Sequence, residues 1–151
     1  MRKVIIFIII VVISIFFSLI ITKGEETEMV FSENSNYYDI YILDISKENI
    51  NTNNIIDYFD DIKILEIYPY INPIYKKLIN INSYSFNTIL SNKKNISLFT
   101  SEYLKKLEDN NLKEEIVKYR INGIKINKIK VYASNNSMNY IINNYNIKIV
   151  K

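Results

Sequence analysis

The 151-residue chain has no Cys, no His and no Trp, and only two Gly and two Pro. Without Cys there is neither disulfide support nor thiol chemistry. With His missing as well, the commonest ligands for zinc, copper and iron are gone. The same two absences remove the usual nucleophile–base pairs of covalent catalysis. Two glycines cannot build a Gly-rich loop that cradles a phosphate. Carboxylates remain, but no spaced acid pair marks a site, so neither a cofactor nor catalysis is expected. No internal repeat is visible.

What is there begins with the apolar run VIIFIIIVVISIFFSLII over Val4–Ile21, which holds no charge, Pro or Gly. A helix rises about 1.5 Å per residue, so about 20 apolar residues cross a hydrocarbon core. Residues 4–22 are therefore expected to form a transmembrane helix, the form that satisfies every backbone group within the segment. A cleaved signal peptide is the competing reading. The run is longer than the usual apolar region of about 7–15 residues, and Ile20 to Glu25 offers no small-x-small cleavage site. Arg2 and Lys3 precede the run, and Lys23, Glu25, Glu26 and Glu28 follow it. Basic flanks stay inside. Residues 1–3 are thus expected in the cytoplasm, 23–36 as an acidic linker, and 37–151 as one extracytoplasmic domain in the cell membrane's outer space. Nucleic acid is not expected as a partner for a domain placed there.

Ile, Asn, Lys and Tyr dominate the composition, as AT-rich codons and a low-GC bacterial source would produce, so the 13 Tyr residues carry little weight by number alone. The formal net charge of +3 hides an asymmetry: −8 over residues 23–66 and +9 over residues 67–151. The plainer account is that the two halves meet across one domain and cancel. The sharper account is a basic face for an anionic partner or lipid headgroups.

Tyr37–Ile45 alternates as a strand does, with Tyr38, Ile40 and Ile42 on one face and Asp39, Tyr41 and Leu43 on the other. Thr52 or Asn53 can cap a short helix from Asn54 to about Asp61. Ile62–Ile71 reads as a second strand, limited at its end by Pro69 and Pro73. Ile74–Ile81 and Tyr84–Leu90 are further strand candidates, and Ser91–Asn95 a loop. Ser97–Phe99 reads as extended, with a helix capped by Thr100 or Ser101 running to Asn110-Asn111. Ile116–Ile121 and Ile124–Val131, joined by Asn122-Gly123, predict a hairpin with a type I′ turn. Ser134–Asn139 reads as a loop, Tyr140–Asn144 as one helical turn, and Tyr145–Val150 as a last strand. The order predicts an α+β domain with a mostly antiparallel sheet and two or three short helices.

Three features bear on function. Asp57, Asp60 and Asp61 cluster, but without the interleaved Gly and closing Glu of a calcium loop. Tyr68, Tyr70 and Tyr75, around the two prolines, form a candidate partner surface, although such rings often pack and leave only the hydroxyl wet. Asn95-Ile96-Ser97 and Asn135-Asn136-Ser137 match the glycosylation pattern, which has no meaning in most bacteria.

The layout resembles the MacB-like periplasmic core domain, with its first membrane helix, of FtsX-type ABC-transporter permeases. Three stretches carry the likeness: DYFDDIKILEIYPYI (57–71), SLFTSEYLKKL (97–107) and KYRINGIKINKIKVYA (118–133). The resemblance implies a helix then a strand ending near Pro, a strand then a helix, and a late hairpin with Gly at its turn. It also implies a non-catalytic domain that binds partners such as a membrane protein or a permease subunit. Family members carry three more membrane helices, whereas this sequence ends at Lys151, so a truncated or stand-alone version is expected. The expected function is a membrane-anchored binding or assembly module of undefined oligomeric state. The alternatives are a carboxylate-only enzyme and the remnant of a larger permease.

Overall fold

The computed structural model describes residues 37–150. The expected anchor at 4–22 and linker at 23–36 lie outside them. Along the chain run β1 (Tyr38–Asp44), α1 (Ile55–Phe59), β2 (Lys63–Pro69), α2 (Lys76–Ile79), β3 (Tyr84–Ser85), α3 (Asn92–Asp109), α4 (Lys113–Asn122), β4 (Ile126–Ser134), α5 (Asn135–Asn144) and β5 (Lys148–Val150). The strands form one sheet in the order β3-β2-β4-β1-β5, and every neighbouring pair is antiparallel. The expected α+β class and antiparallel sheet are observed. The described residues hold five helices rather than two or three, the longest of 18 residues. None of them is long and apolar enough to cross a membrane.

The sheet separates its two faces by the period of two that β1 predicts. Tyr41 and Leu43 of β1, Ile64 and Ile67 of β2, and Ile129, Val131 and Ala133 of β4 are buried. Against them lie the helix stripes: Ile55 and Phe59 of α1, Ile96, Phe99, Tyr103 and Leu107 of α3, Ile116 and Tyr119 of α4, and Met138 and Ile141 of α5. Burying one such side chain fully contributes about 1.5–3 kcal/mol, so this layer dominates stability. A ring chain runs through it, from Tyr84 to Phe99 at 5.3 Å, Phe99 to Tyr103 at 5.8 Å and Tyr103 to Tyr119 at 5.4 Å.

Several expected elements are replaced. The hairpin across Asn122-Gly123 is absent: Lys113–Asn122 is helix, and Gly123 ends it, its N–H donating to the Tyr119 carbonyl. Central β4 has both edges taken by β1 and β2, so the preceding segment has no edge to pair with. Instead Glu114 and Glu115 complement the positive N-terminus of α4 and Arg120 its last turn. Ile74–Ile81 is not a strand but the short α2, and Tyr84–Leu90 contributes only the two residues of β3.

Ser91–Asn95 and Ser97–Phe99 are the first turns of α3, which Ser91 caps by accepting from the Lys94 N–H at 3.3 Å. The expected caps Thr100 and Ser101 sit inside that helix and bond back to the carbonyls of Ile96 and Ser97. Ser134–Asn139 is the start of α5, capped by the Ser134 hydroxyl. Asn54 holds the cap position of α1, and Thr52, expected there, accepts from the Ile124 N–H at 3.0 Å.

Candidate functional site

The second face of the sheet is open. Its side chains come from Tyr38, Ile40, Ile42 and Asp44 of β1, and from Lys128, Lys130 and Tyr132 of β4. Register places Ile40 beside Tyr132, Ile42 beside Lys130 and Asp44 beside Lys128. From β2, Glu66 stands beside Lys130 and Tyr68 beside Lys128. β5 adds Val150 beside Ile42 and Lys148 beside Asp44. Ile40 is 52% exposed and Tyr132 45% exposed, although β4 is the middle strand. The rings of Tyr38 and Tyr132 stack at 5.4 Å.

The charge asymmetry of the sequence meets here, acids of the first half against lysines of the second. Among the described residues neither Lys128 nor Lys130 closes an ion pair with these acids, and the pairs present are Lys118–Glu115 and Arg120–Glu108. Asp44 is engaged by Ser46, whose hydroxyl and N–H donate to it at 2.6 and 3.0 Å. The Ser46 hydroxyl first, then its N–H, hold the Asp44 carboxyl below the usual range, against the effect of burial and with help from Lys128. The Tyr68 hydroxyl donates to Glu66 at 3.0 Å. Burial, then that carboxylate, push the Tyr68 phenol up.

The three expected contact tyrosines separate. Tyr68 belongs to the open face, half-buried. Tyr70 is exposed just beyond β2, its N–H donating to the Lys125 carbonyl at 2.8 Å, and Tyr75 precedes α2. No close ring pair joins them among the described residues. Sequence reasoning missed Tyr38 and Tyr132 as a pair because the two residues are 94 positions apart in the chain; only the register of β1 with β4 brings them together.

Asp57, Asp60 and Asp61 line an open cleft of about 400 Å³ with Tyr58, Tyr140 and Tyr145. Tyr58 and Tyr145 pack at 5.1 Å. Among the described residues no group of three or more acids is gathered closely enough to hold a metal ion.

Of the two glycosylation-pattern asparagines, Asn95 is buried and Asn135 accepts from the Tyr41 hydroxyl.

No family model, curated protein or solved structure matches this chain.

Proposed function

We propose that the chain is a single-pass membrane protein, N-terminus inside, whose outer α+β domain is a non-catalytic binding or assembly module beside an ABC-type permease. The observation that carries the binding role is the open sheet face. A wet sheet face is ordinarily polar. Here Tyr38, Ile40 and Tyr132 stand exposed together, and Ile42 and Lys130 adjoin them. Tyrosine in particular is enriched where proteins meet partners. The anchor is supported by the apolar run at 4–22 and the basic Arg2 and Lys3 before it. The permease link draws on residues 57–71 alone, where α1 runs into β2 and β2 ends at Pro69. The other two stretches of the likeness adopt helix where a strand was implied.

The test is impermeant protease on intact cells, paired with the intact mass of the untreated membrane-bound chain. The reading expects residues 23–151 to be digested and the untreated chain to keep its full-length mass. A protected domain overturns the topology. A mass short of the first twenty-odd residues overturns the anchor.

A further inference from the structure

We propose that the occupant of the open sheet face is the anionic surface of the bilayer that holds the chain's own N-terminal segment. The inference rests on the anchored reading above and adds what the face binds. Two observations carry it. The first is where the chain outside the described residues arrives. Residues 23–36 join the apolar run to Tyr37, and fourteen residues span at most about 50 Å even when fully extended. The open face begins one residue later, at Tyr38. On the anchored reading, the start of the face at Tyr38 stays within about that distance of a lipid surface, and weak contacts suffice at such an effective concentration.

The second observation is the chemistry of the face. Lys63, Lys128, Lys130 and Lys148 stand on it against Asp44 and Glu66, a net charge of +2. Both acids are already engaged, Asp44 by Ser46 and Glu66 by Tyr68. Lys63 donates to the Leu90 carbonyl, so Lys128 and Lys130 are the central cations. Between and beyond them lie Tyr38, Ile40 and Tyr132. Tyr rings favour the headgroup level of a membrane, where one end is apolar and the other wet. Long Lys side chains lay their stems along apolar surface and reach out to phosphates. A protein interface can use the same mixture; what favours the lipid is the tether, which brings the bilayer to every copy of the face.

The absence of Cys makes the test direct, since a single introduced cysteine is labelled uniquely. Full-length chain carrying Ile40→Cys, and separately Ser101→Cys at an exposed position of α3, is labelled with an environment-sensitive fluorophore. Each is reconstituted into vesicles of phosphatidylcholine alone or mixed with phosphatidylglycerol. The proposal expects the label at position 40, not at 101, to be shielded from an aqueous quencher in phosphatidylglycerol vesicles. High salt should reverse the shielding. Each Lys lost should lower the docked-to-undocked ratio about fivefold, so Lys128→Gln with Lys130→Gln lowers it about 25-fold.

Equal exposure at position 40 in both lipids overturns the proposal, as does shielding that ignores lipid charge. Shielding that grows with protein density at fixed lipid composition overturns it in favour of a second copy. A chain that alkaline carbonate strips from the vesicles fails the anchored reading instead. A chain that stays in the bilayer with position 40 exposed fails only this inference.

Discussion

Asparagine is where single residues shape this domain most. Asn95 is almost fully buried in the first turns of α3. Its side-chain amide donates to the carbonyls of Asn87, Leu90 and Ser91 at 2.9, 3.3 and 3.2 Å, and its oxygen accepts from the Asn87 N–H at 2.9 Å. One side chain thus stands in for the secondary structure that the loop 86–91 lacks. Asn92 does the same for an open strand edge. Its oxygen accepts from the Ile64 N–H at 3.1 Å, and its amide donates to the Ile62 carbonyl at 2.6 Å. Asn95→Leu should cost about 2–3 kcal/mol, because the Asn87 N–H loses its acceptor and the carbonyls of Asn87, Leu90 and Ser91 each lose one of their donors. In a domain of this size that is a fall in Tm of about 10 °C or more by calorimetry; an unchanged Tm would mean the loop holds itself. None of this was legible, because an Asn-rich composition makes each Asn look like codon drift.

Tyr103 poses the opposite case at the same scale. It is fully buried between α3 and α4, and its hydroxyl closes no good hydrogen bond among the described residues. Burial, then the Tyr119 phenol beside it, push its pKa far above the ordinary 10.0. Above pH 10 the unfolded chain releases this proton and the folded chain keeps it, so the unfolded state binds fewer protons. Stability is then full below pH about 10 and falls as pH rises beyond it. Urea midpoints should drop between pH 9 and 11 in the native chain and drop less in Tyr103→Phe. At neutral pH that variant should be as stable as the native chain or more so, since no bond is lost. Parallel pH curves for the two would contradict this.

At the scale of elements, β1, α1 and β2 were legible, and the segment before β4 was not. Ile116 to Ile121 alternates in sequence, yet its buried members are Ile116 and Tyr119, three apart. Val117 and Ile121 are 58% and 69% exposed. The pattern of a short segment fits both periods, and the choice falls to tertiary context, here the occupied edges of β4. Gly123 does occupy a special backbone position, but at the end of a helix rather than in a hairpin turn. Its φ of +71° and ψ of 170° belong to a region essentially reserved for glycine. A Cβ there would also meet the Asn51 side-chain oxygen at 2.6 Å.

Gly123→Ala should therefore lower stability by about 2 kcal/mol or more. Asn122→Ala should be nearly neutral, since Asn122 is an exposed last helical residue and not half of a type I′ turn. Urea unfolding of the pair decides: a large loss in Asn122→Ala would restore the hairpin. The start of α3 was missed for a related reason. Ser91 reads as a loop residue until its hydroxyl is seen to cap the Lys94 N–H, and the Lys93-Lys94 pair at a helix N-terminus opposes the dipole.

For the whole molecule, the sequence indicated the class and the antiparallel sheet but not its strand order. β1 pairs with β4 and β5, both near the other end of the chain, and no local pattern encodes pairings across such separations. The same long-range pairing creates the candidate site, which is why Tyr38, Ile40, Lys130 and Tyr132 could not be grouped beforehand while Tyr68, Tyr70 and Tyr75, adjacent in sequence, were. The opposed charges of the two halves, visible from composition, do meet on this face. The working surface thus depends on one claim: β4 lies in the middle of the sheet with one face covered and the other open.

Single cysteines placed in turn from Lys128 to Ala133, in a chain that has none of its own, test that claim directly through their rates of alkylation in the folded protein. The account predicts strict alternation, fast at 128, 130 and 132 and slow at 129, 131 and 133. Uniformly slow reaction would mean that both faces are covered and would remove the site. Fast reaction at 129 or 131 would mean that the register, and the core built on it, is wrong.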